Sequence, residues 1–190
     1  TQVLAEKGAI LTAIDLTDKS VETTKKRLKI KGLKANVIKS DCENLPFEDN
    51  SFDYIWSWGV IHHTPNTEKA AQEIIRVLKL KGKLDIMVYN NKSLYKIINV
   101  YLRYGILILK FFKGYSKQKL KNVYTDGKEL GGAPLSKYYS KRDLIKLFKE
   151  LKLIKCRSFE QKNFFTFWIP KRFKYKFESM IPDNFYNFLF

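Results

Sequence analysis

The stretch SDCENLPFEDNSFDYIWSWGVIHHTPN, residues 40–66, is the most informative part of this chain about its fold. Its centre, residues 52–58, is rich in the aromatic and branched side chains that strands favour. A Leu-Pro-Phe turn with acidic residues precedes this apolar run, and a segment with glycine, proline and two histidines follows it. The stretch therefore predicts a strand that delivers a polar loop to its carboxyl end.

Strands and helices alternate on both sides of this stretch. Apolar runs predict strands at residues 9–15, 35–41, 52–58 and 83–89. Helical periodicity and a terminal glycine predict helices at residues 17–32 and 66–82. Because strands separated by helix-length segments need crossover connections, we predict an α/β fold with a doubly wound, mostly parallel sheet and helices on both faces.

Two acids follow two neighbouring strands of the predicted sheet. Asp15 ends the first strand, and Asp41 ends the second. Ligands of such sheets bind at the carboxyl ends of the strands, where one carboxylate can accept hydrogen bonds from a ribose diol and another can accept from adenine. Each acid could instead be only a helix cap or a turn residue. Their matching positions favour a nucleoside site.

Three segments resemble the class I S-adenosylmethionine-dependent methyltransferases, especially the branch with the ubiquinone and menaquinone methyltransferases. They are AIDLTDKSVE (13–22), SDCENLPFEDNSFDYIWSWGVIHHTPNTEKAAQEIIRVLKLKGKL (40–84) and YYSKRDLIKLF (138–148). The resemblance implies a Rossmann-like fold. The family's glycine-rich loop has no counterpart here, so we expect a longer natural protein, a gap at the sheet centre between residues 9–15 and 52–58, and poor cofactor binding by this chain alone.

The resemblance also implies a cofactor site for S-adenosyl-L-methionine. Asp15 is expected at the ribose, with Leu16 beside it. The remaining contacts fall in two groups: the adenine side is formed by Asp41, Cys42 and Glu43, and the methionine side by Ser57, Trp58 and Gly59.

His62 and His63 are the only histidines of the chain, and they lie where the family has substrate-side residues. Methyl transfer requires alignment and, for a hydroxyl acceptor, removal of a proton. Because the usual histidine pKa is near 6.5, we predict that one of the two is a catalytic base or orients the acceptor. A packing role in the loop is the alternative. Trp56 and Trp58 share one strand face and are predicted to lie in the core.

The residues after the third strand, SWGVIHH, also indicate the class of acceptor. Related enzymes that methylate amino groups of nucleobases or glutamine carry an Asn/Asp-Pro-Pro-aromatic motif there. We therefore predict a small-molecule or lipid-linked acceptor with an oxygen or carbon nucleophile. The alternatives are a non-catalytic basic protein that keeps the fold and binds membrane or RNA, and a dehydrogenase, which Asp15 alone would fit.

The second half of the chain carries the positive charge. Residues 1–90 have 14 Lys and Arg against 12 Asp and Glu, whereas residues 91–190 have 22 against 7. Residues 93–115 are strongly apolar but interrupted by cations, which argues against a transmembrane helix. On a helix, one narrow stripe would hold Lys96, Asn99, Arg103 and Lys110. A lid packed on the sheet is favoured over peripheral contact with an anionic membrane, and nucleic acid is a less favoured partner.

These features predict four regions. Residues 1–89 form the cofactor-binding part, 90–137 a helical, basic insertion or lid, 138–170 a C-terminal helix and an edge strand of the same domain, and 171–190 a basic aromatic tail. Ser140 and Asp143 are predicted to cap the helix. Cys42 and Cys156 have no disulfide or metal-ligand spacing, so we predict no metal site and a cytoplasmic protein.

Overall fold

The computed structural model describes residues 1–93, 96–107, 109–125 and 133–158. The chain divides into two compact units, residues 1–86 and residues 87–190. The predicted edge strand at residues 163–170 and the tail at residues 171–190 lie outside the described residues. In the described part of the chain, no helix combines the length and the apolar character that a bilayer crossing needs.

The first unit alternates helices and strands as predicted. Its elements are α1 (Gln2–Glu6), β1 (Thr12–Asp15), α2 (Asp18–Ile30), β2 (Asn36–Lys39), β3 (Phe52–Trp58), the 3-10 turn Ile61–His63, α3 (Thr67–Val77) and β4 (Leu78–Met87). Strand β1 is shorter than predicted, because Ile10 is fully exposed and pairing begins only at Thr12.

Strands β1 and β2 are parallel neighbours, and α2 is the crossover between them. Thr12 pairs with Asn36 and Asp15 with Lys39. Helix α2 begins after Thr17, whose hydroxyl accepts a hydrogen bond from the Ser20 amide. The buried residues Val21 and Leu28 of this helix form a core cluster with Val37 of β2. The helix therefore covers this strand pair.

Among the described strands, β1 pairs with β2, and β3 pairs with β4. Strands β1 and β3 are not hydrogen-bonded neighbours, and this is the position of the gap predicted at the sheet centre. The parallel pair and its crossover helix agree with the predicted α/β class.

The prediction that the helix at residues 66–82 continues to its terminal glycine is wrong. Helix α3 ends at Val77, and Leu78 has extended backbone angles, φ −78° and ψ 128°. The amides of Asn50 and Ser51 donate to the carbonyls of Arg76 and Val77, both at 2.9 Å. The loop before β3 thus satisfies the last helical carbonyls, and the chain continues as β4.

The prediction that Trp56 and Trp58 lie in the core is also wrong. Their exposed fractions are 51% and 49%, whereas Ser57 between them is 7% exposed. Successive strand residues point to opposite faces, so β3 turns its Ser57 face inward and its tryptophan face outward. The two indole rings lie 5.3 Å apart between centroids and shield part of each other's surface.

The described part of the second unit consists of helices and the loops that connect them. It contains a helix with π-type hydrogen bonding (Lys96–Leu107), α4 (Lys117–Thr125) and α5 (Lys141–Leu147). Val100 and Leu120 are fully buried and join the first two of these helices in one core cluster. The predicted cap of the last helix is confirmed, since Ser140 and Asp143 exchange hydrogen bonds as a capping box.

Candidate functional site

The carboxyl ends of β1 and β2 bring two of the predicted site residues to one edge. The Ser40 amide continues the strand pairing by donating to the Asp15 carbonyl at 2.9 Å. Asp41 is the next residue, so both acids follow neighbouring parallel strands at the same edge, as the sequence predicted. Both side chains are exposed. This is the edge at which open α/β sheets bind ligands.

The carboxylate of Asp15 is oriented by the start of α2. Its Oδ1 accepts hydrogen bonds from the amide and the hydroxyl of Thr17, both at 2.9 Å. Within the described residues, Oδ2 makes no hydrogen bond and is available to a ligand. Leu16 is 65% exposed beside it. One oxygen is therefore used to fix the side chain, and the other can accept a hydroxyl proton.

Asp41 shapes the turn that follows β2. Its Oδ1 accepts from the Glu43 amide at 2.9 Å, and its carbonyl accepts from the Asn44 amide at 3.1 Å. Cys42 is half-buried in this turn. Burial, with the nearby charges of Asp41 and Glu43, raises the pKa of its thiol against the opposing effect of a hydrogen bond with Thr64. The thiol is therefore protonated at neutral pH, which suits a neutral wall better than a nucleophile.

Glu43 connects this turn to the loop that contains the histidines. Its Oε1 accepts a hydrogen bond from the Thr64 hydroxyl and a second from the Asn66 amide at 2.6 Å. Thr64 is buried, and Asn66 caps α3 through the Lys69 amide at 3.0 Å. A single carboxylate thus fixes the loop after β3 against the loop after β2. The resemblance assigned Glu43 to the adenine side and did not indicate this bridge.

Two charged residues of α3, Glu73 and Arg76, hold the Leu-Pro-Phe turn. The sequence analysis did not predict them. Arg76 donates to the carbonyls of Leu45 at 3.0 Å and Phe47 at 2.7 Å and pairs with Glu73 at 2.8 Å. Glu73 in turn accepts from the Leu45 amide at 2.7 Å. The hydrogen bond from Arg76 is the main cause that lowers the pKa of Glu73. Glu73 and Arg76 lie three positions apart on one helix, opposite an acidic turn, and this spacing was the signal in the sequence.

The three residues predicted for the methionine side lie at the end of β3. Ser57 is buried, Trp58 is half-exposed, and Gly59 has a φ of 73°. This left-handed backbone conformation favours glycine and lets the chain leave the strand sharply. The three residues therefore lie at the carboxyl end of β3, where they were expected, and lead directly into the histidine turn.

The two histidines differ in environment. His62 is fully buried, and this burial, with a smaller effect of His63, lowers its pKa to about 3. The two rings lie 4.1 Å apart between centroids, and His63 is only partly buried. His62 is therefore a neutral imidazole at physiological pH. His63 is the histidine of this pair with solvent access.

Comparison with known proteins gives matches over the same region. Residues 1–86 match a family model described as a methyltransferase domain. The sterol 4-C-methyltransferase strm-1 of Caenorhabditis elegans is 31% identical over 50% of this chain and 32% of its own length. The ubiquinone/menaquinone biosynthesis C-methyltransferase UbiE of Blochmanniella pennsylvanica is 37% identical over 53% of this chain and 41% of its own length. The match thus spans less than half of either relative.

Solved structures agree on the fold. A SAM-dependent methyltransferase from Methanosarcina mazei superposes with a TM-score of 0.58, covering 78% of this chain and 71% of that one at 20% identity. At this identity the likeness shows the fold alone, and it confirms the predicted Rossmann-like α/β class. With the family match, the parallel β1–β2 pair and the two acids at its carboxyl edge, residues 1–86 are similar to the methyltransferase domain family, and the resemblance to the class I S-adenosylmethionine-dependent methyltransferases is confirmed.

Proposed function

We propose that this protein is an S-adenosylmethionine-dependent methyltransferase that acts on a small-molecule or lipid-linked acceptor. The observation that carries the proposal is the pair of acids, Asp15 and Asp41, at the carboxyl edge of two parallel strands within a methyltransferase domain. Bound S-adenosylmethionine supplies an electrophilic methyl group on a sulfonium. The residues of this chain bind and orient it and prepare the acceptor.

The exposed carboxylates fit the nucleoside part of this cofactor. Asp15 keeps Oδ2 for a ribose hydroxyl, while Thr17 holds Oδ1 and so fixes the plane of the carboxylate. In the adjacent turn, Asp41 and the half-buried Cys42 offer an acceptor and a neutral wall to the adenine. Ser57 and Gly59 end the next strand on the methionine side. Each assignment uses a group that the local fold already orients.

His63 is the better candidate for the catalytic base. A general base works best when its pKa lies near the working pH, and a pKa of about 3 makes His62 a poor proton acceptor at neutral pH. We assign His62 to packing and to orienting the ring of His63, 4.1 Å away. His63, which is partly exposed, then removes a proton from the acceptor or positions it.

The acceptor class rests on two lines of support. The chain lacks the motif of amino-nitrogen methyltransferases, and both curated relatives carry the name of a C-methyltransferase. Within the predicted oxygen or carbon class, this favours a carbon nucleophile. Removal of a hydroxyl proton from such an acceptor by His63 would increase its electron density and speed the displacement.

Peripheral contact with an anionic membrane also belongs to the proposal. Large apolar side chains are exposed along one stretch of the second unit, namely Ile97, Leu102, Ile106, Leu109 and Phe112. Lys110 and Lys113 accompany them. Exposed apolar groups beside cations suit a membrane interface, which is the surface that would present a lipid-linked acceptor.

Replacing Asp15 by Asn should weaken binding of S-adenosylhomocysteine to the full-length protein by about 1 to 3 kcal/mol, because a charge-assisted hydrogen bond to the ribose becomes a neutral one. Asn keeps the oxygen that accepts from Thr17, so the helix cap survives. Isothermal titration calorimetry measures the loss. The control is Asp18→Asn, which removes the same charge from an exposed ion pair with Lys39. Equal affinity losses in both variants would refute the role of Asp15.

His62 should make the unfolding free energy depend on pH. Its folded pKa of about 3 lies below the usual unfolded value, so its contribution is complete above about pH 6.5 and is lost as the pH falls toward 3. The slope is at most about 1.4 kcal/mol per pH unit. Urea unfolding between pH 7 and 4.5 should show this slope in wild type and in His63→Leu, and a smaller slope in His62→Leu. Identical slopes in wild type and His62→Leu would contradict the buried neutral histidine.

Replacing Phe112 by Ser should lower co-sedimentation with anionic vesicles by on the order of tenfold, because the exposed ring no longer enters the interface. Ile154→Ser is the matched control, since Ile154 is 82% exposed and Phe112 is 81% exposed. Binding should also weaken with added salt. If the two substitutions have the same effect, the membrane contact does not lie at this surface.

A further inference from the structure

Two lysines of the second unit converge on one aromatic ring. The Nζ atoms of Lys96 and Lys121 lie 5.2 Å and 5.6 Å from the ring centroid of Tyr138. Both distances are within the range of cation–π attraction. The ring of Tyr89 packs against Tyr138 with centroids 5.3 Å apart. The aromatic pair therefore forms a platform that gathers two ammonium groups.

One side of this site is fixed by residues that precede the π-type helix. Lys96 is 7% exposed. Its Nζ donates one hydrogen bond to the backbone carbonyl of Asn91 and another, at 2.6 Å, to the side-chain Oδ1 of Asn91. The Asn91 amide donates to the Tyr139 carbonyl at 2.9 Å, and the Tyr139 amide donates to the Tyr89 carbonyl at 2.8 Å. Lys96 and the aromatic platform are thus held by the same short bridge.

The other side is fixed by α4, which carries Lys121. Asn122 accepts from the Ser136 amide at 3.0 Å and donates to the Pro134 carbonyl at 2.8 Å. Gln118 donates to the Ser136 carbonyl at 2.9 Å. These contacts hold the segment that leads to Tyr138 against the helix. The second lysine is therefore positioned over the ring by contacts that do not involve its own ammonium group.

Within the described residues, neither ammonium group pairs with an acid. The acids of this unit that the structure describes are Asp143 and Glu150. Burial lowers the pKa of both lysines, and the charge of Lys121 lowers that of Lys96 further. Partly desolvated like charges destabilise a fold unless a counter-charge accompanies them. An anion between them would remove this cost.

We propose that Lys96 and Lys121, above the ring of Tyr138, form a binding site for a phosphate-class oxyanion. Lys96 has one N–H beyond its two bonds to Asn91, and Lys121 donates no hydrogen bond within the described residues. Spare donors and two charges suit the oxygens of a phosphate group. The group is carried by a soluble phosphorylated compound or by a lipid head group. This site is independent of methyl transfer.

Inorganic phosphate is the first probe. At constant pH and ionic strength, sodium phosphate should raise the Tm of the full-length protein above its value in sodium chloride. Lys121→Met should weaken the phosphate affinity at least tenfold, as read from the concentration dependence of Tm. Lys117→Met is the control, because Lys117 is an exposed lysine of the same helix and loses the same charge. Equal Tm values in the two salts, or equal losses in the two variants, would overturn the proposal.

A second measurement needs no variant for its readout. In protein with labelled lysines, phosphate should shift the side-chain NMR signals of Lys96 and Lys121 more than those of Lys117. A phosphate response that is uniform over the lysines would overturn the site. Vesicles that contain phosphatidic acid identify the source of the anion. If Lys121→Met abolishes partitioning to these vesicles, the anion is a lipid head group. If partitioning survives in Lys121→Met while the phosphate affinity is lost, the anion is a soluble compound.

Discussion

The carboxylate of Glu43 is the constraint on which the proposed site depends. It lies in the turn after β2 and accepts hydrogen bonds from Thr64 and Asn66, in the loop after β3. Hydrogen bonds to charged groups contribute about 1.5 to 3 kcal/mol each, so these two offset part of the conformational entropy that is lost when the loop is ordered. This contact connects the turn proposed to bind the nucleoside to the loop proposed to face the acceptor.

Glu73 and Arg76 do the same for the intervening turn. They extend from α3 and bind the backbone of Leu45 and Phe47, so the helix that follows the histidines also holds the segment that precedes β3. Hydrogen bonds from polar side chains therefore connect the loops of residues 40–66 on both sides of β3. This explains why so short a stretch combines acids, a proline turn, an apolar strand and histidines. The acids and the helix residues organise the loops, and the strand positions them.

Features that depend on neighbours in sequence were predicted well. The parallel pairing, the acids at the strand ends and the Ser140 capping box follow from local patterns and from the rules for crossover connections. The resemblance of the 40–66 stretch to the class I S-adenosylmethionine-dependent methyltransferases was also confirmed. The roles of Asp15, Asp41 and the histidines stay predictions.

Features that depend on distant contacts were missed. Helix α3 ends at Val77 because amides about 26 residues earlier capture its last carbonyls, and helical periodicity carries no sign of this. The position of Lys96 also depends on distant contacts. Its side chain turns inward to Asn91 and to Tyr138, a residue 42 positions away. Hydrophobic periodicity shows which residues share a face of a helix or strand. It does not show which residues that face contacts.

The proposed nucleoside site for S-adenosylmethionine lies at the carboxyl edge of β1 and β2. Amide chemical shifts of the full-length protein during titration with S-adenosylhomocysteine test it most directly. We predict that the largest changes fall at residues 15–17, 41–43 and 57–60, with small changes throughout α5. Binding whose shift changes avoid residues 15–17 and 41–43 would contradict the account.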